Sequence, residues 1–296
     1  MRNLPVGNGS LLVTFDEFYQ IRDVYFPHVG KENHTEGHAF RFGVWVDNEF
    51  SWVSGNDWER DLRYLPETLV TSVSLKNKKL GVEIVCHDTV DSYETLFLRQ
   101  LNVTNLAERE REIRIFLHHD FYISETEVGD TAFFDPETSA LIHYKANRYF
   151  LANSEPPCAM FATGRKGLPD KQGTWREAES GWLSGAAITE GAVDSTMGIC
   201  LKIGVNQTEQ AFYWLAAGTS YKEVERLNSL VKDQSASKII VNTKNYWQSW
   251  VNKNGTDFAD LSPEIIDLFK RSLLIIRTQT DNGGAILAAN DSDVTV

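Results

Sequence analysis

The sequence predicts a mainly β protein: an antiparallel β-sandwich over residues 1–218, helical linker segments over 219–260, and the opening helix of a further helical unit over 261–296. Three observations carry this expectation. Apolar and polar residues alternate with period two through most of the first 218 positions. The period then changes to that of amphipathic helices. Finally, the last helix is too apolar to be satisfied by a sheet alone.

The strands follow in order. Gly7-Asn8-Gly9-Ser10 is a tight turn entering the strand Leu11-Leu12-Val13, a hairpin entry rather than a nucleotide cradle. Phe40, Phe42, Val44 and Val46 share a face, Asp47-Asn48 turns the chain, and Phe50-Ser51-Trp52-Val53 resumes it. Thr71 to Leu75 and Leu80 to His87 flank the polar turn Lys76-Asn77-Lys78-Lys79. Phe97, Arg99, Leu101 and Val103 form another strand, and Ile113, Ile115 and Leu117 return after the polar turn around Asn105. Ile199 to Val205 and Ala211 to Leu215 bracket Asn206-Gln207-Thr208-Glu209, which reads as a hairpin. So many short strands exceed one open sheet, so two sheets must face each other.

After Gly218, Val224, Leu227 and Val231 recur at helical spacing behind Ser220 as N-cap. Ile239 to Val251 reads as a second helix with Tyr246, Trp247 and Trp250 as its heavy face. Asn252 to Asp260 is a polar break. A third helix begins with Ser262 as N-cap and Pro263 at the first position, and ends near Asp281-Asn282-Gly283-Gly284. Its Leu273, Leu274, Ile275 and Ile276 need apolar neighbours on most sides. A helical domain is therefore expected to begin here, with Asp293 to Val296 lacking any capping element; the alternative is a C-terminal helix docked on a sheet.

The formal charge of −12, from 29 basic and 41 acidic residues, argues against nucleic acid or an anionic membrane as partner. Cys86, Cys158 and Cys200 are odd in number and widely spaced, which fits free thiols in a reducing compartment. With no signal-like apolar run at Met1-Arg2-Asn3-Leu4-Pro5 and no membrane-length apolar stretch, a cytoplasmic location is expected.

No catalytic constellation emerges. Glu108, Glu110 and Glu112 alternate with Arg109 and Arg111 as a solvated charge run, and Glu125 and Glu127 lie in a polar stretch. Glu177 and Glu179 would face one way on a strand and so could be imagined as an acid/base pair, but surface positions explain them better. His34 and His38 have the i, i+4 spacing of a zinc pair, yet Gly37, Gly30 and Pro27 argue against the helix it needs. No metal site and no cofactor are expected. His118-His119-Asp120 reads as local hydrogen bonding. The eight tryptophans are mostly core.

Five segments in order carry a resemblance. They are Gly7-Asn8-Gly9 with Arg22-Asp23-Val24-Tyr25-Phe26-Pro27; Phe42-Gly43-Val44-Trp45-Val46; Leu98-Arg99 with Asn102-Val103-Thr104-Asn105; Gly173 to Glu179 with Gly181 to Gly185; and Arg271 to Ile276 with Gly283 to Ala289. Together they resemble the bacterial and archaeal glucoamylases of glycoside hydrolase family 15. The resemblance implies an N-terminal super-β-sandwich over 1–218, a helical linker over 219–260, and over 261–296 the first helix and turn of a truncated (α/α)6 catalytic barrel. It implies inverting hydrolysis of α-glucosidic bonds in the longer enzyme. In that family both catalytic glutamates lie beyond the barrel's first helix, so none is assigned here and this chain alone is expected to be inactive. The implied partner is an α-glucan or α-glucoside bound through the remainder of the barrel.

Two low-level assignments complete the expectation. Tyr246, Trp247 and Trp250 are candidate domain-interface anchors. The long, polar, glycine-containing loop from Tyr25 to His38 is expected at the active-site rim, with Tyr25 and His34 as candidate substrate contacts. The alternatives are a free-standing carbohydrate-binding sandwich, or the front part of a related trehalase, glucodextranase or disaccharide phosphorylase.

Overall fold

The computed structural model describes residues 4–126, 128–167 and 173–288. The expectations placed on Glu127 and on residues 289–296 lie outside the described residues.

In chain order the strands are β1 Val6–Gly7, β2 Leu12–Phe15, β3 Ile21–Tyr25, β4 Phe42–Val46, β5 Glu49–Trp52, β6 Glu59–Tyr64, β7 Thr71–Asn77, β8 Val82–Val90, β9 Leu96–Asn105 and β10 Arg111–His119. They continue with β11 Asp130–Asp135, β12 Ala140–Lys145, β13 Arg148–Glu155, β14 Met160–Arg165, β15 Ile188–Gly191, β16 Val193–Ile203 and β17 Thr208–Gly218. A short helix α1, Trp175–Glu179, precedes β15, and α2 Tyr221–Gln234, α3 Ala236–Asn252 and α4 Pro263–Thr278 follow β17.

All the pairings are antiparallel, in a three-stranded sheet β1-β2-β3, a five-stranded sheet β14-β16-β10-β4-β5 and a nine-stranded sheet β15-β11-β12-β13-β17-β9-β8-β7-β6. One apolar core joins the three. It takes Val44, Ile113, Ile115 and Ile199 from the five-stranded sheet, Val73, Ile84, Leu101 and Leu215 from the nine-stranded sheet, and Val13, Phe15 and Val24 from the smallest. Strand β7 shows why the alternation was readable, because its residues are buried and half-buried in strict turn. Asp47 and Asn48 both take positive φ, 55° and 64°, as a two-residue hairpin turn requires.

The nine-stranded sheet is covered on its other face too. Leu96, Leu98, Phe212, Trp214 and Ala216 lie under Val224, Leu227 and Val231 of α2 and Ile239 and Ile240 of α3. Burial on both faces explains the consecutive apolar residues Leu96, Phe97 and Leu98 of β9 and the longer run from Ala211 to Ala217 in β17. Ser220 caps α2, accepting from the Glu223 amide as expected.

Four local expectations need correction, while Ser262 and Pro263 stand at the start of α4 where they were expected. β9 and β10 are not a hairpin, since they belong to different sheets. Nor are β16 and β17, which cross between the same two sheets. Asn105 fastens both crossings at one corner, donating to the carbonyls of Arg109, Ile203 and Gly204 at 2.8, 3.0 and 3.1 Å. Helix α3 begins at Ala236, three residues before Ile239, because the Ser235 side chain accepts from the Lys238 amide. Ser262 holds the N-cap position of α4 without a side-chain capping bond, and Pro263 follows it. Glu177 and Glu179 lie on a helix and not on a strand.

Candidate functional site: the loop and helix junction

The segment Arg22 to His38 folds as a loop pegged along its length. Arg22 Nε donates to the Gly37 carbonyl at 2.6 Å, and the Asn33 side chain donates to Asp23 Oδ1 at 2.8 Å. Asn33 Oδ1 in turn accepts from the Val24 and Thr35 amides and the Thr35 hydroxyl. Glu32 meets Arg148 through two bonds of 2.8 and 2.7 Å, and that contact holds its carboxyl below the usual range. The loop is long, but its shape is fixed by the body beneath it.

His34 is the centre of that fixation. It is fully buried, its Nε2 lies 2.7 Å from the Phe26 carbonyl, and its Nδ1 accepts from the Ser124 amide at 3.0 Å. Both bonds suit a neutral ring protonated on Nε2, and burial lowers its pKa to about 4. The expectation that His34 touches substrate is therefore corrected: both nitrogens are engaged inside the protein. Tyr25 is half-buried at the end of β3, bridged to Asn33. His38 stacks on Tyr122 with centroids 5.1 Å apart, and the Tyr122 amide donates to the His34 carbonyl at 2.7 Å. Among the described residues no group of three or more His, Cys, Asp or Glu could hold a metal.

The loop tip meets the end of α4. Asp281 Oδ2 accepts from the Val29 amide at 3.0 Å and lies 3.3 Å from His28 Nδ1. Burial pushes the Asp281 carboxyl up, but the bonds from Gly283, Val29 and His28 outweigh it and hold the group below its usual range. The Asn8–Ser10 turn completes the junction. Arg277 Nη2 donates to the Asn8 carbonyl and the Asn282 amide to that of Gly9, at 2.8 and 2.9 Å. Gly9, at φ +92°, leaves room where a Cβ would sit 2.5 Å from Asn282 Oδ1. No local pattern singled out Asn8, Arg277 or Asp281 for this role; flanking glycines at both turns are the only signal that pointed there.

The three proposed anchors divide. Trp247 is buried with Leu69 of the body and Leu274 of α4, and Tyr246 and Trp250 pack beside it. They thus connect the nine-stranded sheet, α3 and α4. The outer side of α4 leaves Ile265, Leu268, Phe269 and Ile276 exposed.

The arrangement closest to a nucleophile site lies elsewhere, in the core. Ser195 Oγ is 2.7 Å from His143 Nε2 and 3.1 Å from His119 Nδ1, and His119 Nε2 is 2.9 Å from the Tyr213 hydroxyl. His118 pairs with Asp194 at 3.0 Å. All of these groups are buried, and burial lowers the His143 pKa to about 3 and that of His119 well below normal. No substrate reaches them, so the cluster is an internal polar network. Glu177 accepts from the Ser184 amide and Glu179 from the Trp52 indole, so both are local struts.

The chain resembles a bacterial glucoamylase in fold. Over 95% of its length it superposes on a crystal structure of a bacterial glucoamylase complexed with acarbose, with a TM-score of 0.74 and 13% identity, covering 41% of that chain. In sequence it is 23% identical over 299 aligned positions to an uncharacterized glycosyl hydrolase of Methanocaldococcus jannaschii. That alignment takes in 96% of this chain and 46% of the relative, so the chain spans about half the relative's length. No family model matches.

Proposed function

We propose that this chain is the N-terminal, non-catalytic portion of a glucoamylase-like glycoside hydrolase that cleaves α-glucosidic bonds with inversion. In this reading residues 1–218 are a super-β-sandwich, 219–260 the linker, and α4 the first helix of an (α/α)6 barrel. The single observation that carries it is the alignment of nearly the whole chain with about half of a relative named as a glycosyl hydrolase. The apolar outer side of α4 supports it, because Leu268 at 65% exposure and Ile276 at 55% are the residues a neighbouring helix would cover.

The work of this chain is then mechanical. The pegged loop from Tyr25 to His38 presents a fixed edge toward α4, with Tyr25 as the candidate substrate contact and His34 as the residue that positions it. Tyr246, Trp247 and Trp250 hold α4 against the sheet, so that the first barrel helix starts from a set position. The acid and base of an inverting hydrolase would be supplied by the remainder of the enzyme. Glucose release from maltose, isomaltotriose and trehalose tests the reading, comparing this chain with the full reading frame that contains it. Activity confined to the longer protein supports it, and its preferred disaccharide sets the specificity.

A further inference from the structure

We propose that the groove between the turn joining β8 to β9 and one face of α3 binds a neutral oligosaccharide, with the Tyr93 ring and the Asn242 and Asn245 carboxamides as its contacts. The inference deepens the proposed glycoside-hydrolase function and rests on it only for the choice of an α-glucan.

The groove measures about 550 Å³, within the range of small-ligand sites. One wall is the turn Asp91 to Glu94, which is rigid. Asp91 Oδ1 accepts from the Tyr93 and Glu94 amides at 2.8 Å each, and Asn8 Nδ2 donates to the Asp91 and Glu94 carbonyls at 2.9 Å each. Arg226 clamps the Glu94 carboxylate through two bonds of 2.9 and 2.7 Å. This fixed turn holds up a tyrosine whose surface is 81% exposed. Its ring stands edge-on to Tyr246, with centroids 5.4 Å apart.

The other wall is a helix face. Asn242, Asn245, Tyr246 and Ser249 recur at i, i+3, i+4 and i+7, parallel to the face that sends Ile239, Ile240, Thr243 and Trp247 inward. Among the described residues, the Asn242, Asn245 and Ser249 side chains make no hydrogen bond within the protein, so their donors and acceptors are open to a ligand.

The chemistry of the lining selects the occupant. It contains no lysine or arginine, so it does not suit a phosphate or another anion. Beside Leu230, Ile239 and the two tyrosine rings stand amides, hydroxyls and carboxylates whose desolvation a lipid chain would not repay. A sugar ring offers an apolar C–H face to an aromatic ring and hydroxyl edges to carboxamides, which is the combination present. The turn is fixed before binding, so little ordering entropy opposes the ligand.

The test is a titration of the chain with maltoheptaose, isomaltotriose and cellohexaose, followed by calorimetry and by amide shifts in NMR. Saturable maltoheptaose binding that moves the Asn242 and Asn245 side-chain signals is expected. Tyr93→Ala should weaken it at least about tenfold and Asn245→Ala should also weaken it, both with unchanged melting temperature, since both side chains are exposed. Failure of all three sugars to bind, or binding indifferent to Tyr93→Ala, overturns the site. Preference for cellohexaose overturns the α-glucan assignment. The proposed enzyme function is scored separately: glucose release by the longer protein without groove binding sinks the site alone, and groove binding without glucose release sinks the enzyme reading alone.

Discussion

The imidazole of His34 ties its own loop to a residue 90 positions away, because Ser124 donates to one nitrogen while the Phe26 carbonyl faces the other. Its neutral form is the one the fold needs. A histidine whose pKa falls from about 6.5 to about 4 on folding binds more protons when unfolded between those values. Stability is therefore full above pH 6.5 and declines as the pH falls toward 4, by on the order of 3 kcal/mol from this residue. His143 and His119 add in the same direction. Melting curves from pH 7.5 to 4 should show that decline, and His34→Gln should flatten part of it while lowering stability at neutral pH. A second residue-scale prediction concerns Gly9. A Cβ there would strike Asn282 and Arg277, and φ is +92°. Gly9→Ala should loosen the end of α4, seen as faster amide exchange over residues 277–287, while β7 and β8 stay protected. The glycine was legible in the sequence as a turn residue; its second duty as a docking gap depends on contacts with residues more than 260 positions away, and no local pattern encodes those.

At the scale of elements, period-two alternation tells which face of a strand is buried and says nothing of which strand lies beside it. That is why β7 and β8 were readable as a hairpin while β16 and β17, equally alternating across an equally polar turn, cross between sheets. Both sheets feed one core, so inward residues of either look alike in the sequence. Helix α4 was readable as apolar on most sides, and its two sides now separate. Leu274 is buried against Trp247, and Leu274→Ala should cost about 2–4 kcal/mol in unfolding free energy. Leu268 and Ile276 face outward. Leu268→Glu combined with Ile276→Glu should leave the melting temperature of this chain nearly unchanged and reduce its self-association in sedimentation runs. If the double variant unfolds instead, that side of α4 is already packed within the chain.

For the whole molecule, the body of sheets, the two helices on its outer face and the docked α4 make a continuous structure without a reactive, accessible cluster among the described residues. The Ser195–His143–His119 network is sealed in the core, and the carboxylates near Trp175 are struts. The class of fold was legible from periodicity, and the resemblance of five ordered segments pointed to the same glucoamylase-like fold as the superposition. The Tyr93 groove was not, because it needs a turn and a helix some 150 positions apart; Asn242, Asn245 and Ser249 at helical spacing were its only trace. The central claim is that this chain supports catalysis without performing it. Its most direct test is glucose release from maltose, isomaltotriose and trehalose by this chain and by the full reading frame that contains it. The account predicts turnover by the longer protein only; turnover by residues 1–296 alone would contradict it and send attention back to Glu177 and Glu179.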